Sequence, residues 1–184
     1  MRKLGAIVFV LGLLGAAAVA QVPTSGNVYF GYSLNHGTVD PAADTGTLNG
    51  WEASVEGRVL PHIGLVTDLA QQFGTVTIFP VAFPPFPIDV RTEQFLFGPR
   101  ASVRVGPFRP YAHFLIGAAH VHEKNGSVPF EDSDTSFAYA VGGGVDYSLI
   151  GPLNWRLQLE SLNTNFFGDW QHNTRFSTGL AFHF

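Results

Sequence analysis

Residues 175–184 read Arg-Phe-Ser-Thr-Gly-Leu-Ala-Phe-His-Phe, with Phe176, Leu180, Phe182 and Phe184 all on one side of a period-two pattern. In an extended strand successive side chains point to opposite faces, so this segment has one apolar face and one small or polar face. The pattern recurs. Residues 49–59 set Trp51, Ala53, Val55, Gly57 and Val59 against Glu52, Ser54, Glu56 and Arg58. Residues 93–105 set Phe95, Phe97, Ala101, Val103 and Val105 against Gln94, Arg100, Ser102 and Arg104. Residues 137–147 oppose Phe137, Tyr139, Val141, Val145 and Tyr147 to small residues and Asp146, and Trp155, Leu157 and Leu159 oppose Arg156, Gln158 and Glu160. Three more segments, 26–34, 64–73 and 110–122, also read as strands. The second puts Asp68 on the face away from Leu65 and Leu69; the third is apolar on both faces and takes no orientation from its sequence.

The polar faces decide which side is inside. Together they hold Glu52, Glu56, Arg58, Asp68, Arg100, Arg104, Asp146, Arg156, Glu160 and Arg175, five acids and five arginines without a lysine. Solvated surfaces use lysine freely, whereas arginine suits enclosed, geometrically fixed ion pairs. Such a set fits a narrow lumen whose buried charges are paired. The apolar faces then look outward to lipid, the inside-out alternation of a transmembrane β-barrel. A soluble lipocalin-like carrier would instead turn the aromatic face inward around a ligand. The connections agree. Short links near residues 60–63, 106–109 and 149–153 alternate with long polar or proline-rich ones near 35–48, 74–90, 123–135 and 163–173. This is the order of periplasmic turns and outer loops. The expected fold is all-β, an eight-stranded antiparallel barrel with strands of about ten residues.

The first twenty residues stand apart. Arg2 and Lys3 precede an apolar run that ends in Ala18-Val19-Ala20, the layout of a cleaved secretory signal. An uncleaved membrane helix would not need that small-residue end. Residues 1–20 are therefore read as the signal and 21–184 as one barrel domain, with Gln21 the expected mature start. The absence of cysteine excludes a lipoprotein anchor, a thiolate metal site and a cysteine nucleophile. A net charge of −4 offers no basic face for nucleic acid.

Four stretches resemble the small outer-membrane β-barrel family of OmpA- and OmpX-like proteins. They are Phe-Leu-Phe-Gly-Pro-Arg-Ala-Ser-Val-Arg at 95–104, Arg-Pro-Tyr-Ala-His-Phe-Leu-Ile-Gly at 109–117, Gly-Gly-Gly-Val-Asp-Tyr at 142–147, and the segment at 175–184. The resemblance runs from about Asn27 onward. It implies an outer-membrane location in a Gram-negative bacterium, and it makes Phe176, Leu180, Phe182 and Phe184 a signal read by the barrel-assembly machinery. Eight strands leave an interior just wide enough for side chains, so a plugged lumen is expected.

Other candidates carry less. His120 and His122 share a strand face and could form half of a metal site, but no third ligand has a determined spacing. Glu131, Asp132 and Asp134 could hold calcium, yet they lack the glycine and distal glutamate of a defined loop, and a solvated acidic loop is preferred. A lipid-modifying hydrolase needs a serine and a histidine within reach on one strand face, and no such spacing appears. The segment 77–88 mixes Phe79, Phe83 and Phe86 with Pro80, Pro84, Pro85 and Pro87. It reads equally as a contact surface for a receptor or envelope partner and as a lid on the barrel mouth. The expected function is non-enzymatic, without cofactor: a structural or surface-interaction barrel working in adhesion or defence through its outer loops, with a narrow channel as a minority outcome. The mature protein is expected in the outer-membrane fraction, with an electrophoretic mobility that changes only on boiling. A soluble band without heat shift would reverse the inside-out assignment.

Overall fold

A computed structural model describes residues 25–37, 45–78, 86–124 and 131–184. Eight strands, β1 (Gly26–Gly37), β2 (Gly46–Leu60), β3 (Ile63–Ile78), β4 (Phe86–Ser102), β5 (Phe108–Lys124), β6 (Glu131–Ile150), β7 (Leu153–Thr164) and β8 (Gln171–His183), pair antiparallel in chain order. β1 pairs with β8 from Asn27↔His183 to His36↔Thr174, which closes the barrel. Residues 1–24, which include the expected signal, lie outside the described residues.

The turns at one end are short for a chemical reason. Val105 and Phe108 bridge across Gly106-Pro107, and Ile150 and Leu153 pair across Gly151-Pro152. Gly106 and Gly151 have φ of 60° and 55°. A two-residue hairpin needs a positive φ at its first central position, which glycine takes without strain. The third turn, Pro61-His62, joins β2 to β3. β1 begins and β8 ends at this same end, which the short turns mark as periplasmic.

The wall is apolar outside. Phe30, Val55, Phe95, Phe114, Phe137 and Leu159 are all exposed on it. Aromatic side chains gather at two levels, as at the boundaries of a membrane-spanning barrel. Trp170 meets Phe137 and Tyr139 edge-on toward the outer end, while Phe108 packs on Tyr147 beside the periplasmic turns.

The strands run from 12 to 20 residues, longer than the sequence pattern suggests. The excess lies at the outer ends of β3–β6. Ladder pairing between β2 and β3 stops at Asn49↔Phe73 and that between β6 and β7 begins at Ala138↔Thr164. β3–β4 pairing nevertheless continues to Ile78↔Phe86 and β5–β6 pairing to Lys124↔Glu131. In β3 and β4 the extensions turn Val76, Ile88 and Val90 inward and Thr75, Asp89 and Arg91 outward, the reverse of the lipid-facing wall. Much of what reads as long loop at 74–90 and 123–135 is therefore strand.

The seam between β1 and β8 is tight. Gly31 faces Gly179 across it, and a Cβ on Gly179 would lie 2.3 Å from both Gly31 Cα and the Phe30 carbonyl oxygen. Backbone cannot yield there as a flexible side chain would. Gly179→Ala is expected to lower unfolding stability in micelles by about 1–3 kcal/mol. The readout is the urea midpoint of the heat-shifted gel species.

Candidate functional site

Inward-facing positions of all eight strands converge on a buried polar network. Its centre is Arg175 on β8, fully buried. Its guanidinium binds Asp68 at 2.7 Å, pairs with Glu160, lies 3.7 Å from Glu52, and donates to Gln94 Oε1 at 3.0 Å. Glu52 is held in turn by Gln158 Nε2 at 2.8 Å and by the Ser177 hydroxyl. Nearer the periplasm, Arg156 grips Asp146 with two parallel bonds of 2.6 and 2.8 Å and donates to Asn27 at 3.0 Å. Asn27 donates to Glu56 at 2.6 Å, and Arg100 reaches the same carboxylate at 3.2 Å. His113 joins the two halves: it lies 2.8 Å from Glu160 and 3.4 Å from Arg100. A neutral imidazole fits both contacts, with Nε2–H donating to the carboxylate and Nδ1 accepting from the guanidinium.

Aromatic rings brace these cations. Tyr111 lies under Arg100 at 4.3 Å and under Arg156 at 5.0 Å, and Tyr29 takes the other Arg156 contact at 4.9 Å. Such stacking strengthens as water is excluded. Two glycines make room for it. A Cβ on Gly31 would fall 2.3 Å from the Tyr29 hydroxyl oxygen, and one on Gly144 would fall 2.6 Å from that of Tyr111.

The ten charged residues picked from the sequence do not all meet. Glu52, Glu56, Asp68, Arg100, Asp146, Arg156, Glu160 and Arg175 are buried in the network. Arg58 is half-buried at the periplasmic mouth, and Arg104 is exposed beyond the end of β4. Both have the inward parity, but their strands reach the mouth first. The eight buried in the network are five carboxylates against three guanidiniums, not a balanced set, and Glu123 is a further buried carboxylate at the outer end of β5. Neutral donors, namely Asn27, Gln158, Ser177 and His113, hold the surplus acids. Gln158 and Ser177 share faces with charged residues in the sequence pattern, so their parity was readable, whereas Asn27 and His113 lie on strands that the pattern left unoriented.

The lumen also contains aliphatic side chains. Val66, Leu96 and Leu115 are buried beside the network, and Leu48, Val76, Ile88, Val90 and Val121 belong to the same apolar cluster toward the outer end. This orients β5: Tyr111, His113, Leu115 and Val121 point in, while Phe114 and Ile116 point to lipid.

The remaining candidates are scattered. His120 and His122 face outward near the outer end of β5, with His120 Nδ1 2.7 Å from the Thr135 hydroxyl. Among the described residues no three histidine or acidic side chains gather as a metal set. Glu131, Asp132 and Asp134 begin β6. Phe79, Phe83, Pro84 and Pro85 lie outside the described residues, and Phe86 is the first residue of β4. Phe176, Leu180, Phe182 and Phe184 stand in a row on the outer wall.

A family model for the outer membrane protein β-barrel domain matches residues 6–184. The chain belongs to that family. No curated protein matches its sequence. Among solved structures, the neisserial surface protein A (NspA) is 11% identical over 86% of this chain and 97% of its own, with a TM-score of 0.66. OprG from Pseudomonas aeruginosa is 12% identical over 87% and 95%, at 0.59. Ail, the attachment invasion locus protein of Yersinia pestis, is 14% identical over 86% and 98%, at 0.55. At these identities the likeness is one of fold. With the lipid-facing wall, family membership places the protein in the bacterial outer membrane.

Removing a buried charge from one side of the network leaves its partners uncompensated. Arg175→Gln is expected to destabilise the barrel by about 3–5 kcal/mol. Arg91→Gln, which breaks the exposed pair with Glu93, is expected to change stability by less than about 1 kcal/mol. Urea titration of both variants in the same micelles checks the contrast.

Proposed function

We propose that this protein is a non-enzymatic outer-membrane barrel that acts at the cell surface, its lumen closed by the Arg175-centred network. The reading rests chiefly on the outer ends of β3–β6, which continue past the point where the barrel ladders to β2 and β7 stop. At about 3.3 Å per residue, the 17 residues of β5 span about 55 Å. Even tilted by about 40°, that exceeds an apolar band of about 25 Å. A four-stranded flange thus rises above the outer leaflet and carries the connections at 79–85 and 125–130. A rigid scaffold presenting variable loops is a common arrangement for recognition. The proline-rich sequence at 79–85 limits the entropy lost on docking.

The buried polar groups support a structural role over a catalytic one. The Ser177 hydroxyl donates to Glu52, whereas His113 lies between Glu160 and Arg100, so serine and histidine are committed to different partners. Maturation at Gln21 and delivery through the barrel-assembly machinery, read from the row of Phe176, Leu180, Phe182 and Phe184, complete the proposal.

The test compares bacteria displaying the native chain with bacteria displaying a version whose residues 79–85 are replaced by a Gly-Ser linker of equal length. Both barrels should show the same heat shift. The native protein should raise attachment to immobilised host-cell surface several-fold over cells without it, and the replacement should lose that gain. Equal attachment by all three strains would defeat the proposal.

A further inference from the structure

Charge is unevenly distributed along the barrel axis. Among the described side chains, the carboxylates outside the buried lumen are Asp89, Glu93, Asp134 and Asp169, all at the outer end. The periplasmic end carries Arg58, Arg104 and Arg109. Each occupies the inward-facing position where its strand meets the mouth, Arg58 near the end of β2, Arg104 two residues past β4, and Arg109 second in β5. Arg58 and Arg104 are the strongest repulsive charges acting on Arg109. Two carboxylates are also near, Asp146 and Glu56. Both are engaged elsewhere: Asp146 by the two bonds from Arg156 and a 2.9 Å contact to His183, and Glu56 by Arg100 and Asn27. Arg109 is held in place by His183, whose Nδ1 lies 2.6 Å from its Nη1.

Beside Arg109 and His183 is a cavity of about 50 Å³ lined by these two, Arg104, Ser148 and Asn154, together with Pro107, Phe108 and Gly151 of the turns. At the roughly 10–15 Å³ that one water requires on this measure, it holds about four waters, the bulk of one tetrahedral oxyanion. Arg104 and Arg109 face this cavity together, no carboxylate side chain lines it, and Arg58 adds a further repulsive charge on Arg109, an arrangement that an anion would relieve. Guanidinium offers the planar donor fork that phosphate oxygens match.

We propose that the periplasmic mouth is an anion site that takes a phosphate group. Two sources carry that chemistry: the headgroup of an inner-leaflet phospholipid, whose chains would lie along the exposed wall at Leu149 and Ile150, or free phosphate in the periplasm. The experiment uses the mature barrel folded in alkyl maltoside micelles, which contain no phosphate. Inorganic phosphate and short-chain phosphatidylglycerol are titrated separately by calorimetry into the native protein, Arg104→Gln, Arg109→Gln and, as an outer-end control, Arg91→Gln. The expected result is one site per barrel, weakened at least tenfold in Arg104→Gln and Arg109→Gln and unchanged in Arg91→Gln. Binding of inorganic phosphate assigns a soluble anion; binding of phosphatidylglycerol alone assigns the headgroup. If Arg109→Gln does not fold, by the heat-shift criterion, Arg104→Gln decides alone, since Arg104 is exposed and lies outside the strands. No binding of either probe, or equal binding by Arg104→Gln and the native protein, overturns the proposal.

Discussion

Hydrocarbon offers no hydrogen bonds, so a sheet in a bilayer must pair its last strand with its first. The rest of this structure depends on that closure. Once eight strands are joined from β1 round to β8, the interior is only as wide as the side chains that fill it. Inward side chains between the two mouths are then buried, whatever their chemistry. Charges placed there must meet partners at hydrogen-bond distance, and rings must lie against the wall. The glycines under Tyr29 and Tyr111 follow from this crowding, as does the close approach of Gly31 and Gly179.

The polar interior does not maximise stability as aliphatic packing would. Buried ion pairs recover their desolvation only when the geometry is good and the remaining polar atoms are bound. Here Glu52, Glu160 and Asp146 have donors beyond Arg175 or Arg156, Asp68 is held by Arg175 alone, and two of the three guanidiniums are stacked on tyrosine. What the arrangement provides is directionality. Aliphatic side chains tolerate a slipped register, whereas a slip of one residue would turn Glu52, Asp68 and Arg175 out toward lipid.

Much of this was legible in the sequence, and the reason it was legible also explains what was not. Period two assigns a side chain to a face. It put Glu160 and Arg175 inside and Phe95 and Phe182 outside, and the alternation of short and long links separated the strands. Parity says nothing about depth. Arg104 has the same parity as Arg100, yet one lies at an open mouth and the other is buried. The flange was hidden for a related reason: residues 131–136 are strand by hydrogen bonding without apolar alternation, and residues 88–92 alternate with the apolar side inward, the reverse of the lipid-facing wall. Tyr111 and His113 were unassigned because β5 is apolar on both faces, and only the neighbours across the lumen settle which face is which.

The separation along the chain of the groups that meet inside has a consequence for assembly. Asn27 binds Arg156 across 129 residues, Asp68 binds Arg175 across 107, and Ser33 lies beside Ser177 across 144. Hairpins can form from neighbouring strands, but none of these contacts exists until the last strand arrives. An unfinished sheet therefore holds solitary carboxylates that favour water over membrane, and completion neutralises them together. The lumen works as a checkpoint built from solvation energy, making partial insertion unfavourable and release into the bilayer favourable only for a chain already joined end to end.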